Sequence, residues 1–286
     1  MNSLVTCSQA HSINQAVTVN LANNLSVRLY PNSRPHCMET ASLQKGLILM
    51  FDNQELVEEG MGFGAPIVKY RDKTYFSTSA DVSIQENYSN FSLQKTFILD
   101  AISRKKFWRT TYIDDGVYSI VRKSFAKLYL NHKNLSPFFN NIMELRNVAK
   151  IQTEFQKVKP RGTIKVKYEF QPLIINVCVD FSDLTLGGCE ELLVLNEQGS
   201  TVFDKYADTD GLKLFGNKIG GWDKVTANQA CIMSCNKQLS FWLWKKEGAL
   251  LQRGWENTKR RFSWAGLSYS LYPNCKSFSY SIHLGL

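Results

Sequence analysis

The run Ser277-Phe-Ser-Tyr-Ser-Ile-His-Leu284 decides the fold class. Phe278, Tyr280, Ile282 and Leu284 share one face of an extended chain, while Ser277, Ser279, Ser281 and His283 share the other. Side chains alternate across a strand with period two, so the run is apolar toward a core and polar outward. The period recurs at 162–170, where Ile164, Val166, Tyr168 and Phe170 alternate with Lys165, Lys167 and Glu169. After Pro172, the stretch 174–181 is apolar enough to predict a strand buried on both faces. Further strands are predicted at 26–30, 46–51, 67–77, 91–100, 117–130, 192–195, 238–244 and 266–271. Turn residues separate them, among them Arg71-Asp-Lys73, Asp114-Asp-Gly116, Glu197-Gln-Gly199 and Tyr272-Pro-Asn274. One helix is predicted near mid-chain. Ser136 caps it, Pro137 suits its first position, and Phe138, Ile142, Leu145 and Ala149 follow at helical spacing. The expected architecture is all-β: a large antiparallel β-sandwich with one short mid-chain helix. It spans 1–286 as one domain, or as two coupled lobes meeting near 135–160.

Composition narrows the class. At 286 residues and 44% hydrophobic, the chain can bury a substantial core. No stretch approaches the roughly 20 apolar residues of a membrane-spanning helix. Residues 1–24 have neither a basic start nor a continuous apolar block, so no secretory leader is expected. The seven cysteines form an odd set without Cys-x-x-Cys, which reads as free thiols in a reducing cytoplasm. No metal or other cofactor is expected. The net charge of +9 raises nucleic acid as a partner. Its densest runs, Arg104-Lys-Lys106 and Lys259-Arg-Arg261, sit among Phe107, Trp108, Trp255, Phe262 and Trp264. Without a recognisable nucleic-acid motif, these runs read as strands with a basic outer and an aromatic inner face.

The stretch Gly60-Met-Gly-Phe-Gly64 follows Glu58 and Glu59 and lets backbone approach a ligand or another strand closely. A dinucleotide fingerprint needs a helix after the glycines, whereas Ala65-Pro66 leads here into strand-like Ile67-Val-Lys-Tyr70. What remains is a cleft-lining loop built on Gly60, Gly62 and Gly64, or a structural bulge. Proton-transfer candidates are Glu58 and Glu59 before the glycine loop, Asp100 and Glu197 at or near predicted strand ends, and His283 on the serine face. Trp222 and Asp223 follow a glycine pair that presents an aromatic beside a carboxylate. With Trp255 and Arg104 they are the candidate substrate contacts: rings to stack on a sugar and a cation to meet an acidic one. Asp204, Asp208 and Asp210 offer oxygen ligands but lack the ordered EF-hand spacing.

The C-terminal run Gly266-Leu-Ser-Tyr-Ser-Leu-Tyr-Pro-Asn-Cys-Lys-Ser-Phe-Ser-Tyr-Ser-Ile-His283 resembles the closing strand pair of the galactose mutarotase-like (aldose 1-epimerase-like) β-supersandwich superfamily. There a strand ends in a proline-containing turn and an aromatic-alternating strand follows. The superfamily's catalytic histidine pair and acidic signature are not found at matching positions, so no catalytic residue carries over. The resemblance implies carbohydrate handling by an epimerase, lyase or hydrolase-like protein. The first functional expectation is therefore a sugar-binding protein, an isomerase or lyase working by general acid–base catalysis. An aromatic-lined cavity for an isoprenoid or lipid-like compound, with a single carboxylic acid as catalyst, is the alternative. A noncatalytic nucleic-acid or protein interaction module comes third.

Overall fold

Period-two alternation becomes strand almost throughout the computed structural model, which describes residues 10–12, 15–22, 24–32, 42–71, 73–87, 90–107, 151–236, 238–258 and 262–286. The N-terminal strands are β1 (Ala10–Ser12), β2 (Val17–Ala22), β3 (Leu25–Leu29), β4 (Ile48–Phe51) and β5 (Gln54–Glu55). Then come β6 (Gly62–Tyr70), β7 (Lys73–Asn87), β8 (Asn90–Phe107), β9 (Ile151–Lys157), β10 (Thr163–Gln171) and β11 (Ile174–Asp180). The C-terminal part holds β12 (Cys189–Gln198), β13 (Phe203–Asp208), β14 (Lys213–Phe215), β15 (Gly221–Lys224) and β16 (Gln229–Ser234). It closes with β17 (Ser240–Trp244), β18 (Ala249–Thr258), β19 (Phe262–Leu271) and β20 (Ser277–Gly285). A 3-10 turn, Gly216–Ile219, is the one helical element among the described residues. The strand predicted at 117–130 and the helix predicted at 136–149 lie outside the described residues.

The chain forms two units, one of residues 1–102 with 157–286 and the other of residues 103–156. The second is described at its ends, in β8 and β9, which pair. In the first, β2-β3-β4-β5 form a small antiparallel sheet. A long antiparallel sheet runs in the order β14-β13-β16-β17-β20-β11-β10-β8-β7-β6-β12-β19-β18-β15, with β1 paired to β7. The strands that end this path, β14 and β15, are joined in sequence by the 3-10 turn.

Side-chain contacts show the sheet folded over its own apolar face. Phe63 of β6 meets Phe241 of β17 edge to face at 5.1 Å. Tyr269 of β19 meets Phe278 and Tyr280 of β20 at 4.9 and 5.0 Å. The Tyr280 hydroxyl donates to Asn196 Oδ1 of β12 (2.8 Å), and the Tyr168 hydroxyl of β10 donates to the Phe63 carbonyl (3.0 Å). These strands are not neighbours in the sheet, so the contacts make a sandwich, all-β and antiparallel. Phe278, Tyr280, Ile282 and Leu284 are buried as their spacing predicts. Strand β11 differs from expectation. Ile175, Val177 and Val179 are buried, but Cys178 is exposed and Asn176 half-buried. Its outer neighbours are Lys167 and Glu169 of β10 and Ser279 and Ser281 of β20, which make that side of the sheet polar.

The glycine stretch is where the two sheets meet. Leu47 and Phe63 form an isolated antiparallel bridge, exchanging N–H···O bonds of 2.9 and 2.8 Å. The approach is close enough that a Cβ on Gly46 would stand 2.0 Å from the Phe63 carbonyl oxygen. Gly62 adopts φ +77, and its Cβ would come 2.7 Å from the Leu47 carbonyl oxygen. Gly64, at φ +76, is the extra residue of a bulge opposite Leu195 and Asn196, and Asn196 Oδ1 accepts its N–H (3.1 Å). Nearby, the buried Lys95 donates to the carbonyls of Tyr30 (2.7 Å) and Lys45 (2.8 Å), a second tie between the same parts. Burial pushes its ammonium down to about 7.

Gly62→Ala is expected to destabilise the protein by on the order of 2–4 kcal/mol, because left-handed strain and collision add. Urea unfolding checks this through a lower midpoint at unchanged slope; a wild-type midpoint would show that neither constraint operates.

Candidate functional site

Register places one polar face across β12, β19 and β18. Opposed residues of an antiparallel pair share a face, as do residues two apart along a strand. Glu197 opposes Gly266, Gly266 opposes Gly254, Glu256 opposes Trp264, and Gln252 opposes Ser268. Glu197, Glu256, Trp264, Gln252 and Ser268 therefore stand on one side of the sheet. Val194, Leu251, Leu267 and Tyr269 point to the other side, into the core. The two glycines let larger groups lie flat across the face. A Cβ on Gly266 would come 2.9 Å from Glu197 Cγ, and one on Gly254 would come 2.8 Å from the Trp264 ring.

The segment 56–61 covers one end of this row. The Met61 N–H donates to Glu197 Oε2 at 2.7 Å, and Lys45 Nζ donates to the carbonyls of Glu58 (3.1 Å) and Gly60. Glu197 is only 5% exposed, so desolvation of its charged form dominates. Burial pushes its carboxyl up to about 7, aided by Glu256 and opposed by the Met61 N–H and the Lys45 charge. Glu58 adds a second carboxyl. It sits in the left-handed region at φ 46 and accepts from the hydroxyls of Ser263 and Thr201 and from the Thr201 N–H (3.3 Å). Burial raises its pKa too, against the pull of these hydrogen bonds. Ser200 Oγ, 2.9 Å from Ser263 Oγ and 2.7 Å from the Glu256 carbonyl oxygen, links Glu58 to β18.

Trp222 enters from the edge strand β15. It is the extra residue of a bulge between Gly221 and Asp223 and adopts φ 72, a conformation rare for a large side chain. The bulge turns its ring onto Trp264, where the two indoles stack at 4.7 Å and 11°. Trp264 Nε1 donates to Glu256 Oε2 (3.2 Å), joining the aromatic pair to the carboxylates.

The remaining candidates from the sequence are spread over the fold. Glu59 borders the cluster, its N–H donating to the Ser263 carbonyl (3.2 Å). Asp223 is exposed and 3.8 Å from Arg253. Trp255 occupies the opposite side of β18 from Glu256, close to Gly216. Gly60, Gly62 and Gly64 are buried. Asp100 fills the bulge at Thr78, accepting from the Thr78 N–H (2.7 Å) and the hydroxyls of Thr78 (2.9 Å) and Ser79 (2.6 Å). His283 packs at 4.2 Å against Trp244 on the outer face of β20, and desolvation lowers its pKa. Arg104 is exposed on β8. Glu256, Trp264, Lys45, Ser200 and Ser263 were not among the candidates, because only pairing brings them to Glu197.

Among the described residues no group of three His, Cys, Asp or Glu side chains could hold a metal ion, and the five described cysteines are free. Asp208 accepts from the Tyr206 hydroxyl (2.8 Å) and from the N–H groups of Asp210 and Leu212 (3.1 Å each), closing its own turn. No described helix is long and apolar enough to cross a membrane.

No protein-family model and no curated protein matches the chain. Solved structures do. The chain is similar to galactose mutarotase-like proteins. One such protein, from Lactobacillus casei ATCC 334, aligns over 94% of this chain and 99% of its own, at 10% identity and a TM-score of 0.38. A galactose mutarotase related enzyme from Lactobacillus acidophilus aligns over 95% and 97%, at 10% identity and a TM-score of 0.36. At that identity the likeness gives no residue a role, and the chemistry is read from the site itself.

Glu197 holds its proton more tightly in the folded than in the unfolded chain, where its value is near 4.5. Its contribution to stability is therefore complete below about 4.5 and is lost as pH rises through about 7. Glu197→Gln removes that loss. The melting temperature of the variant relative to the parent should climb by a few degrees between pH 5 and pH 8. Parallel pH profiles would show that the carboxyl does not titrate in this window.

Proposed function

We propose that the face formed by β12, β19 and β18 binds a carbohydrate and that Glu197 moves a proton on it. One observation carries this reading: a stacked tryptophan pair shares a sheet face with a carboxyl whose proton affinity lies near neutrality. Indole rings cover the C–H surface of a sugar ring, while carboxylates and the half-buried Gln252, oriented by the Ser268 hydroxyl, meet its hydroxyl groups. A group that transfers protons works best with a pKa near the working pH, which burial gives Glu197. Glu58 and Glu256 lie in more exposed surroundings, so the three carboxyls differ in environment as paired acid and base require. In this scheme Glu197, which holds its proton more tightly, gives it to the substrate while a neighbouring carboxylate takes one, so that an isomerisation of the sugar balances without a cofactor. The strained backbone at Trp222 and Glu58 adds support, because such outliers cluster at functional sites. For an apolar ligand the described cavities are less suitable. The two of about 390 and 420 Å3 are lined largely by charged and polar side chains.

The test combines calorimetric titration with neutral hexoses and uronic acids and exchange spectroscopy of the bound sugar. A millimolar dissociation constant is expected, weakened about tenfold by Trp264→Ala. Glu197→Gln should keep binding while slowing interconversion by about 10²–10⁴-fold. Equal sugar affinity in Trp264→Ala and the parent would remove the site from consideration.

A further inference from the structure

The end of the β6–β7 hairpin carries a cavity of about 390 Å3 lined by Tyr70, Arg71, Lys73, Tyr75, Arg161, Gly187 and Gly188. Three of these residues are cations, and no described carboxylate lines the cavity. Asp72, between Arg71 and Lys73 in sequence, lies outside the described residues. Glu190 follows two residues after Gly188 and is exposed.

Arg161 is held in place. Its guanidinium lies over the rings of Tyr70 (5.2 Å) and Tyr75 (5.6 Å), and its Nε donates to the Tyr75 hydroxyl at 3.3 Å. The two rings pack edge to face at 5.1 Å, and the Tyr70 hydroxyl is anchored on the Thr185 carbonyl (2.9 Å). An arginine oriented in this way keeps its terminal N–H groups for a planar or tetrahedral anion. Tyr75 accepts from Arg161 and retains its own hydrogen to donate. Opposite, a Cβ on Gly187 would meet nothing within 4 Å, so a ligand can reach the main chain there. Arg71, at φ 49 in the hairpin turn, stands beside Gly188, whose Cβ would lie 3.7 Å from its Nε.

We infer that this cavity is a binding site for the phosphate group of a soluble small molecule, with Arg161 as its fixed ligand and Arg71 and Lys73 as mobile ones. It is separate from the carboxylate cluster. Tyr70 pairs with Cys189 at one end of the β6–β12 ladder and Gly62 with Glu197 at the other. Eight residues of strand separate them, about 25 Å at the usual rise. The inference therefore stands whether or not the polar face binds a sugar.

The test is calorimetric titration of the intact protein with inorganic phosphate at constant ionic strength. Saturable binding in the millimolar range is expected. Arg161→Gln should weaken it by about tenfold or more, as expected for a lost charge-assisted contact. Lys73→Gln, at an exposed position, should weaken it several-fold without changing the melting temperature, which guards against a fold defect in the Arg161 variant. Lys218→Gln, on the distant 3-10 turn, should bind as the parent does. Absence of saturation, parent-like affinity in both cavity variants, or an equal loss in Lys218→Gln would overturn the site in favour of a diffuse positive field. Arg161-dependent retention on vesicles containing an anionic phospholipid, without binding of free phosphate, would overturn the assignment to a soluble ligand.

Discussion

The contact between Leu47 and Phe63 is the constraint on which this architecture rests. It brings two main chains together where side chains would ordinarily hold them apart, and it does so because Gly46 and Gly62 have none. Through it the small β2–β5 sheet is fixed against β6. The turn that follows β5 is then directed over the end of β12, where the Met61 N–H reaches Glu197 and Lys45 holds the Gly60 carbonyl. The glycines that look like a ligand loop thus shape the carboxylate site from behind, by setting where its cover lies.

A second pattern unites three acidic or amide residues. Each bulge frees a backbone N–H from the ladder, and a buried N–H without a partner is costly. Asp100 meets that of Thr78, and Asn196 meets that of Gly64. Glu197 does the same for Met61, just before the β6 strand begins. Asp100 collects hydroxyl donors from Thr78 and Ser79 as well as the amide, whereas Glu197 has a second carboxyl, Glu256, beside it. Similar roles in the backbone leave the two groups with different chemistry.

The sequence made the inner faces readable. Strands such as β10 and β20 place lysine, glutamate or serine outside and large apolar residues inside, so the alternation is plain. Strand β16 escaped because its outward residues, Gln229, Cys231 and Met233, are not charged, and the contrast between faces fades. The three- and four-residue β14 and β15 were missed as well, being too brief for a period to show, and β13 because a bulge sets its buried Phe203 and Tyr206 three residues apart. The doubly buried reading of β11 failed because the polarity of its outer face is set by its neighbours, Lys167 and Ser279 among them. At the candidate site, Glu58 and Glu197 were visible as separate carboxylates and Trp222 as an aromatic beside glycines. Their association with Glu256, Trp264 and Ser263 was not, since it depends on β12, β19 and β18 lying side by side.

The ends of the long sheet bear on how the protein behaves in a crowded solution. An open sheet presents a row of unsatisfied amide and carbonyl groups at each margin, a template for recruiting a foreign strand. Here the two terminal strands, β14 and β15, are three and four residues long and consecutive in the chain. The bulge at Trp222 interrupts one margin, and the turn Gly216–Ile219 ties it to the other. A polypeptide seeking to extend the sheet would find only a few groups in register before meeting a turn. The kink that orients an indole toward Trp264 thus also discourages strand-by-strand growth into aggregates.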